Sequence, residues 1–402
     1  MLEGLVEMGH SIKNMRIRFY GVQGSGSTFP ATHETVALQE LMDYELLKMV
    51  FEDLSKHIIN GNQLNRTLTE YLGGPINRKT LLKYRERFSI NLPRIYGGWT
   101  TCIHIETSDG YDIVLDCGSG FRNCAKDLQV KWDNQSERHL HIFGSHSHFD
   151  HTEGFDQAAV CFDPRNTIHI YGNYQFLYSL NSYLGIFSKF VRDEVIGVQT
   201  PINFSIMPAK FQGTEIRNMT KSAPVDKEKS IDWKLHDINE FIKIGATRIT
   251  AFDVYHPAPC LAYKIEHGGK KFVFCTDHEL RYGNKPDDPK QKASEEAEAR
   301  LTEHARDADV LYRDGQYLRS EYDGFSGIGS SNPVQRIDWG HSCIEDVKEM
   351  SLKCCVKHTY IGHHDPNREW SERNWIDEAL ARSCKGCKEK IELARAGTII
   401  DL

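Results

Sequence analysis

The feature that most constrains this 402-residue chain is Ser145-His146-Ser147-His148-Phe149-Asp150-His151, placed directly after the apolar run Leu140-His141-Ile142-Phe143. Side chains two residues apart on an extended segment point the same way, so His146 and His148 can grip one metal ion together. Asp150 and His151 follow where the chain must turn, and they can face a second ion beside the first. Three imidazoles and a carboxylate suit Zn²⁺ or a similar divalent cation such as Mn²⁺. A fold that carries this cluster needs a strand to deliver it and other strand ends to complete it.

Three later residues follow strand-like runs of their own. His256 comes after Phe252-Asp253-Val254-Tyr255, Asp277 after Phe272-Val273-Phe274-Cys275-Thr276, and His363 after Thr359-Tyr360-Ile361-Gly362, with His364 next to it. Loops at strand ends are where layered folds build their sites. Seven donors from four strand ends is the number a dinuclear centre requires: two triads and a carboxylate able to bridge.

The rest of the chain reads as strands with interspersed helices. Met15 to Tyr20 alternates like a first strand. It runs into Gly21-Val22-Gln23-Gly24-Ser25-Gly26-Ser27, which is either an anion-binding loop or a tight turn, and which lacks the lysine of a nucleotide-binding P-loop. Residues from about Glu34 to Asn91 read as a helical insertion, with Leu38, Leu41, Leu46, Val50, Leu54 and Ile58 near helical spacing. Further strands are expected at Thr101–Ile105, Tyr111–Leu115, Thr167–Gly172, Thr247–Tyr255, Leu261–Glu266, Lys271–Cys275, Ala308–Tyr312 and Val356–Gly362. Gly154 to Cys161 reads as a short helix, and the charged stretch from Pro286 to Arg306 as a loop and an exposed helix. Strands without a regular βαβ rhythm favour an α/β sandwich of two sheets with helices outside, formed by residues 1–402 as a single domain carrying the insertion at about 34–91.

Composition narrows the function. A net charge of −7 argues against a chain whose main role is to coat nucleic acid. There is no apolar run long enough for a membrane span. The N-terminal residues lack a secretory pattern, and the eleven cysteines have no framework spacing, which together read as reduced thiols in a cytoplasmic protein. Cys384 and Cys387 read as helix-end residues. The twelve histidines outside the motifs, His139 and His141 among them, are expected to be solvated, and His278 and Glu279 are candidate partners of the metal ligands.

In these motifs the chain resembles the metallo-β-lactamase superfamily. Asp116 in Asp-Cys-Gly-Ser-Gly matches an aspartate that orients the metal loop. His146, His148, Asp150 and His151 match the second motif, His256 the third, Asp277 the bridging aspartate and His363 the last histidine. Ile17 to Ser25, Tyr96 to Cys102, Trp339-Gly340-His341-Ser342 and Gly362-His363-His364-Asp365-Pro366 are similar to the branch that holds ribonuclease Z and cyclic-nucleotide phosphodiesterases. Trp99 and Cys343 stand where that branch more often has asparagine and threonine.

The resemblance implies an αββα sandwich of two mixed sheets. It implies one cation held by His146, His148 and His256, a second by Asp150, His151 and His363, and Asp277 shared. Asp150 and His341 are the implied catalytic residues: a water acidified by both cations attacks phosphorus, while His341, outside the metal shell and steadied by Asp314, serves the phosphodiester. The implied substrate is a small phosphodiester, a 3′,5′-cyclic nucleotide first and a transfer-RNA 3′ end second, and a homodimer is expected. A non-catalytic binding module conflicts with the intact donor set, and an oxygen-dependent diiron member conflicts with histidine at position 148.

Overall fold

The computed structural model describes residues 12–29, 32–88, 96–184, 186, 207–220, 233–283 and 287–402. They fall into two compact units, Met1–Phe29 with Tyr96–Leu402, and Pro30–Ile95.

The larger unit is built on two sheets. The first has the order β17 (Ile399–Asp401), β1 (Met15–Gly21), β4 (Cys102–Thr107), β5 (Asp112–Leu115), β6 (Arg138–Phe143), β7 (Asn166–Gly172), β8 (Lys210–Arg217), β9 (Trp233–Asp237). The second has the order β10 (Ile242–Ile244), β11 (Thr247–Val254), β12 (Cys260–His267), β13 (Lys270–Cys275), β14 (Val310–Asp314), β15 (His358–Gly362), β16 (Lys390–Leu393). Each is mixed in the same sense. Pairing is antiparallel as far as β5 in the first sheet and β13 in the second, and parallel beyond.

Alternation along the strands sorts side chains into layers. Ile17, Phe19, Ile113, Leu115 and Phe143 of the first sheet meet Ile249, Tyr263, Phe272, Phe274 and Tyr312 of the second in one core between the sheets. Val114, Leu140 and Ile142 point the other way, against Phe121, Leu128 and Trp132 in and after α4 (Phe121–Lys131) and against Phe176 and Leu180 of α5 (Tyr174–Leu184). On the far face of the second sheet lie α6 (Pro289–Ala305), α8 (Ile344–Lys353) and α9 (Trp370–Ser383). A short α7 (Arg319–Tyr322) follows β14. The architecture is helix, sheet, sheet, helix. Among the described residues no helix is long and apolar enough to cross a membrane, and all eleven cysteines are free thiols.

Several local expectations need correction. Gly154–Cys161 is not one helix: only 3₁₀ turns form, at Phe149–His151 and Ala159–Phe162, because the chain is pinned between them by the Gly154 N–H donating to Cys117 O. The charged helix α6 is not simply exposed, since Ser294, Ala297, Leu301 and Ala305 are buried along one face; Pro286, where that stretch begins, lies outside the described residues. Nor are the remaining histidines all solvated. His104, His141, His267 and His278 are buried, His104 against Asp112 and His278 against Glu298.

The smaller unit covers the stretch read as an insertion, described as far as Phe88. It comprises α1 (Thr32–Ser55), a hairpin of β2 (Ile58–Ile59) and β3 (Gln63–Leu64), α2 (Leu68–Leu72) and α3 (Arg78–Arg85). Thr67 and Glu70 form a capping box on α2, and Asn77 caps α3. Its core is small: Tyr71, Leu72 and Tyr84, with Val50, Leu54 and Phe88 partly covered beside them. The Tyr71 and Tyr84 hydroxyls donate to Asp53 at 2.8 and 3.2 Å.

Candidate metal centre

All seven candidate donors leave the C-terminal ends of strands, and those ends lie along one edge of the sandwich. The segment after β6 carries His146, His148, Asp150 and His151; His256 follows β11, Asp277 follows β13 and His363 follows β15. Their donor atoms form two groups, His146, His148, His256 and Asp277, and Asp150, His151 and His363, each with its atoms within 4.8 Å of one another, and a third group of the same reach joins Asp277 and His363 to His341. Asp277 belongs to both neighbourhoods. Its Oδ2 lies 3.4 Å from His146 Nε2, while its Oδ1 lies 3.2 Å from His151 Nε2 and 3.1 Å from His363 Nε2. Asp150 Oδ2 is 3.2 Å from both His151 Nε2 and His363 Nε2. His148 Nδ1 and His256 Nε2 are 3.4 Å apart.

These spacings test whether a metal fits. Four donors about 2.0–2.1 Å from a tetrahedral cation stand about 3.3 Å from one another. The observed separations match that edge. Nε2 of His146 and of His151 are buried and make no hydrogen bond, an arrangement that is costly unless a cation takes up the lone pairs. The residues fit two divalent ions.

In His151, His256 and His363 the ring nitrogen turned away from the cluster is occupied, which fixes the imidazole. His151 Nδ1 is 2.7 Å from Asp116 Oδ2, and Asp116 also accepts from Ser145 N at 2.6 Å and Ser145 Oγ at 2.8 Å. His256 Nδ1 donates to Gly340 O at 3.1 Å, and His363 Nδ1 faces Gln316 Oε1 at 3.0 Å. Asp116, Asp277 and His363 all sit at positive φ, 58°, 47° and 57°. Non-glycine residues rarely hold that conformation, and it turns each side chain back across its strand end. Burial pushes the His146 imidazole well down and His256 to about 4, which keeps both neutral and able to donate a lone pair.

His341 lies next to the cluster. Its ring stacks on His363 with centroids 4.7 Å apart, and its Nδ1 is 2.9 Å from the buried Asp314 Oδ2. Burial would lower its pKa, but Asp314, with Asp277 and Asp150 behind it, raises it to about 9. His364, the neighbour of His363, is buried away from the centre and donates to Ala394 O.

Gln316 escaped the sequence reading, and the roles of the glycine-rich loop and of Glu279 become specific only in the structure. Gln316 has no motif of its own; it becomes a partner of His363 only because β14 and β15 run side by side. The glycine-rich loop does serve an anion, but that anion is the chain's own carboxylate: Ser25 N donates to Asp150 Oδ2 at 2.8 Å. Gly24 in the same loop is packed so closely that a Cβ there would lie 2.2 Å from His363 Nδ1. Glu279 acts at one remove from the ligands. It accepts from Gly340 N at 2.8 Å, Asp338 N at 2.9 Å and the Tyr322 hydroxyl, and so holds the turn whose carbonyl orients His256.

No family model and no curated protein matches the chain. Solved structures do. Zn²⁺-bound PqqB from Methylobacterium extorquens aligns over 96% of this chain and 100% of its own, at 12% identity and a TM-score of 0.51. The metallo-β-lactamase fold protein YhfI from Bacillus subtilis aligns over 96% and 99%, at 11% identity and a TM-score of 0.48. Unliganded yeast PDE1 aligns over 77% and 96%, at 13% identity and a TM-score of 0.46. At such identities the likeness is one of fold. With two facing mixed sheets, helices on both outer faces and a histidine–aspartate cluster along one edge, the chain has the metallo-β-lactamase fold.

Proposed function

We propose that the protein is a dinuclear metal-dependent phosphodiesterase of the ribonuclease Z and cyclic-nucleotide phosphodiesterase branch, acting on 3′,5′-cyclic nucleotides. The observation that carries this reading is Asp277 standing between two donor sets with a carboxylate-backed histidine, His341, alongside. His146, His148 and His256 would hold one cation, Asp150, His151 and His363 the other, and each Asp277 oxygen would face one of them. Bound there, the two cations supply Lewis acidity toward a phosphoryl oxygen and bring the pKa of water near neutrality.

The chain's own groups do the rest. Asp116, Gln316 and the Gly340 carbonyl lock the imidazoles, so no reorganisation is needed when charge develops. His341 has its Nδ1 committed to Asp314, which leaves Nε2 to present a proton. With a pKa near 9 that proton is in place at neutral pH. From there it stabilises a phosphoryl oxygen and passes to the departing alkoxide. The Gly340-His341-Ser342 and Gly362-His363-His364-Asp365 segments favour a cyclic phosphate over other esters.

The test is a turnover screen of cyclic mononucleotides, cyclic dinucleotides and a transfer-RNA precursor, with protein loaded with Zn²⁺ or Mn²⁺. Cleavage of a 3′,5′-cyclic mononucleotide to the monophosphate supports the proposal. Cleavage of the precursor alone moves the activity to RNA processing, and no phosphodiester turnover in either metal form overturns it.

A further inference from the structure

Eight of the eleven cysteines are buried, and three reach the surface: Cys355, Cys384 and Cys387. Burial pushes the thiols of Cys124 and Cys161 up, away from the thiolate that carries cysteine chemistry. Cys355 is exposed, but its chain neighbour Cys354 is turned inward against Met350 Sδ and Thr302 O. Cys384 and Cys387 are the two reachable thiols that share one place.

That place is the turn between α9 and β16. The Cys384 N–H donates to Leu380 O at 3.0 Å, which closes the helix, and the Cys387 N–H donates to Cys384 O at 3.0 Å. The second bond makes Cys384-Lys385-Gly386-Cys387 a β-turn, whose first and fourth Cα atoms lie less than about 7 Å apart. A disulfide spans about 4.4–6.8 Å between Cα atoms. Gly386, at φ 93°, supplies the left-handed residue that a type II turn requires at its third position. Backbone bonds alone therefore bring the two cysteines within bridging range.

The two thiols differ in their surroundings. Cys384 is half-buried and packs against the cluster of Ile376, Leu380 and Leu393. Its Sγ lies 3.8 Å from Ser383 Oγ, whose own proton goes to Leu380 O at 2.9 Å. Cys387 is exposed. Residues 382–390 carry four cations, Arg382, Lys385, Lys388 and Lys390, against the single carboxylate of Glu389. An excess of that sign draws anionic reagents to the turn.

We infer that Cys384 and Cys387 form a thiol–disulfide exchange site that takes an anionic low-molecular-weight disulfide. The Cys387 thiol gives its proton to solvent and attacks one sulfur of the reagent. The reagent's S–S bond breaks, and its other half leaves as a thiolate that takes a proton from water. Cys384 then loses its proton, attacks Cys387 Sγ and releases the second half of the reagent as a thiol. The pair gives up two protons and two electrons, and the reagent gains them. Neither cysteine belongs to a donor group of the metal centre, so the inference does not depend on the chemistry there.

The experiment mixes the reduced full chain with glutathione disulfide, quenches it with N-ethylmaleimide and maps the cysteines by peptide mass spectrometry. In wild type, Cys384 and Cys387 should lose alkylation together and appear as one bridged product, which dithiothreitol reopens. Cys384→Ser removes the resolving thiol, so one glutathione should stay on Cys387. In Cys387→Ser, modification of Cys384 should be slower than that of Cys387 in wild type by roughly tenfold or more. Added salt should slow the reaction with glutathione disulfide and speed the reaction with cationic cystamine. Both thiols still alkylated in wild type, or a separate glutathione on each, overturns the inference. A rate with glutathione disulfide that salt leaves unchanged overturns the anionic class.

Discussion

Asp314 Oδ2 lies 2.9 Å from His341 Nδ1, and the carboxylate is wholly buried. The pair makes His341 a cation held beside the metal ligands without being one of the seven. His341→Ala should leave the metal content near wild type and lower kcat by roughly 10²-fold or more. Asp314→Asn should keep the ring in place but remove most of the charge that holds its proton, moving the alkaline limb of the kcat profile to lower pH. Loss of metal from His341→Ala would make His341 a ligand and remove it from the chemistry.

Metal analysis of the purified protein should return close to two divalent ions per chain. In Asp277→Ala neither donor set keeps its shared oxygen, and the content should fall below two even after loading. One ion in the fully loaded wild type would defeat the dinuclear reading.

Gly24→Ala places a methyl group 2.2 Å from His363 Nδ1 and 2.3 Å from its Cε1. The imidazole cannot give way without losing Gln316, so the second ion should be held more weakly while the His146, His148 and His256 set is left intact. The expected result is a stoichiometry nearer one than two and a lower kcat. An unchanged stoichiometry would show that the glycine-rich loop moves aside at little cost.

Asp112 gives a test that the metals do not touch. Buried at the start of β5, it accepts from His104 Nε2, Lys131 Nζ and Trp132 Nε1, all at 2.7 Å. Burial alone would raise its pKa, but His104 and Lys131 outweigh it and hold the carboxyl at about 2. A depressed folded pKa contributes stability that is complete above the unfolded value of about 3.9 and is lost as pH falls toward 2. Asp112→Asn should therefore cost about 2 kcal/mol at pH 7 in urea unfolding of chelated protein, with the gap to wild type closing between pH 4 and pH 2. A gap independent of pH would assign the cost to packing.

The candidate donors stand out in the sequence because each is a rare residue type just after an apolar alternating run. Their neighbours were harder to read. Gln316 acts through a contact that exists only once β14 and β15 lie in register, and no local pattern marks it; Glu279 stands out by following Asp277, but its partners at Tyr322, Asp338 and Gly340 do not. The strands β8 and β9 are polar on alternate positions and near an edge, and β17 is three residues long, so none has the apolar weight of a central strand. Helix α1 misleads for the opposite reason: it is apolar on both sides, so its near-helical spacing reveals a helix but not the face it buries.

The donors of the second set come from both sheets, and Asp150 and His363 stand 213 residues apart in the chain. A ribosome releases the first of these long before the last. Until β15 is made and laid beside β14, the histidines after β6 wait as an open, half-built trap for any cation that will take three imidazoles and a carboxylate. Whichever metal is abundant at that moment has the first chance of being locked in when His363 arrives. A cation held there would then reflect the supply during synthesis as well as the preference of the finished site.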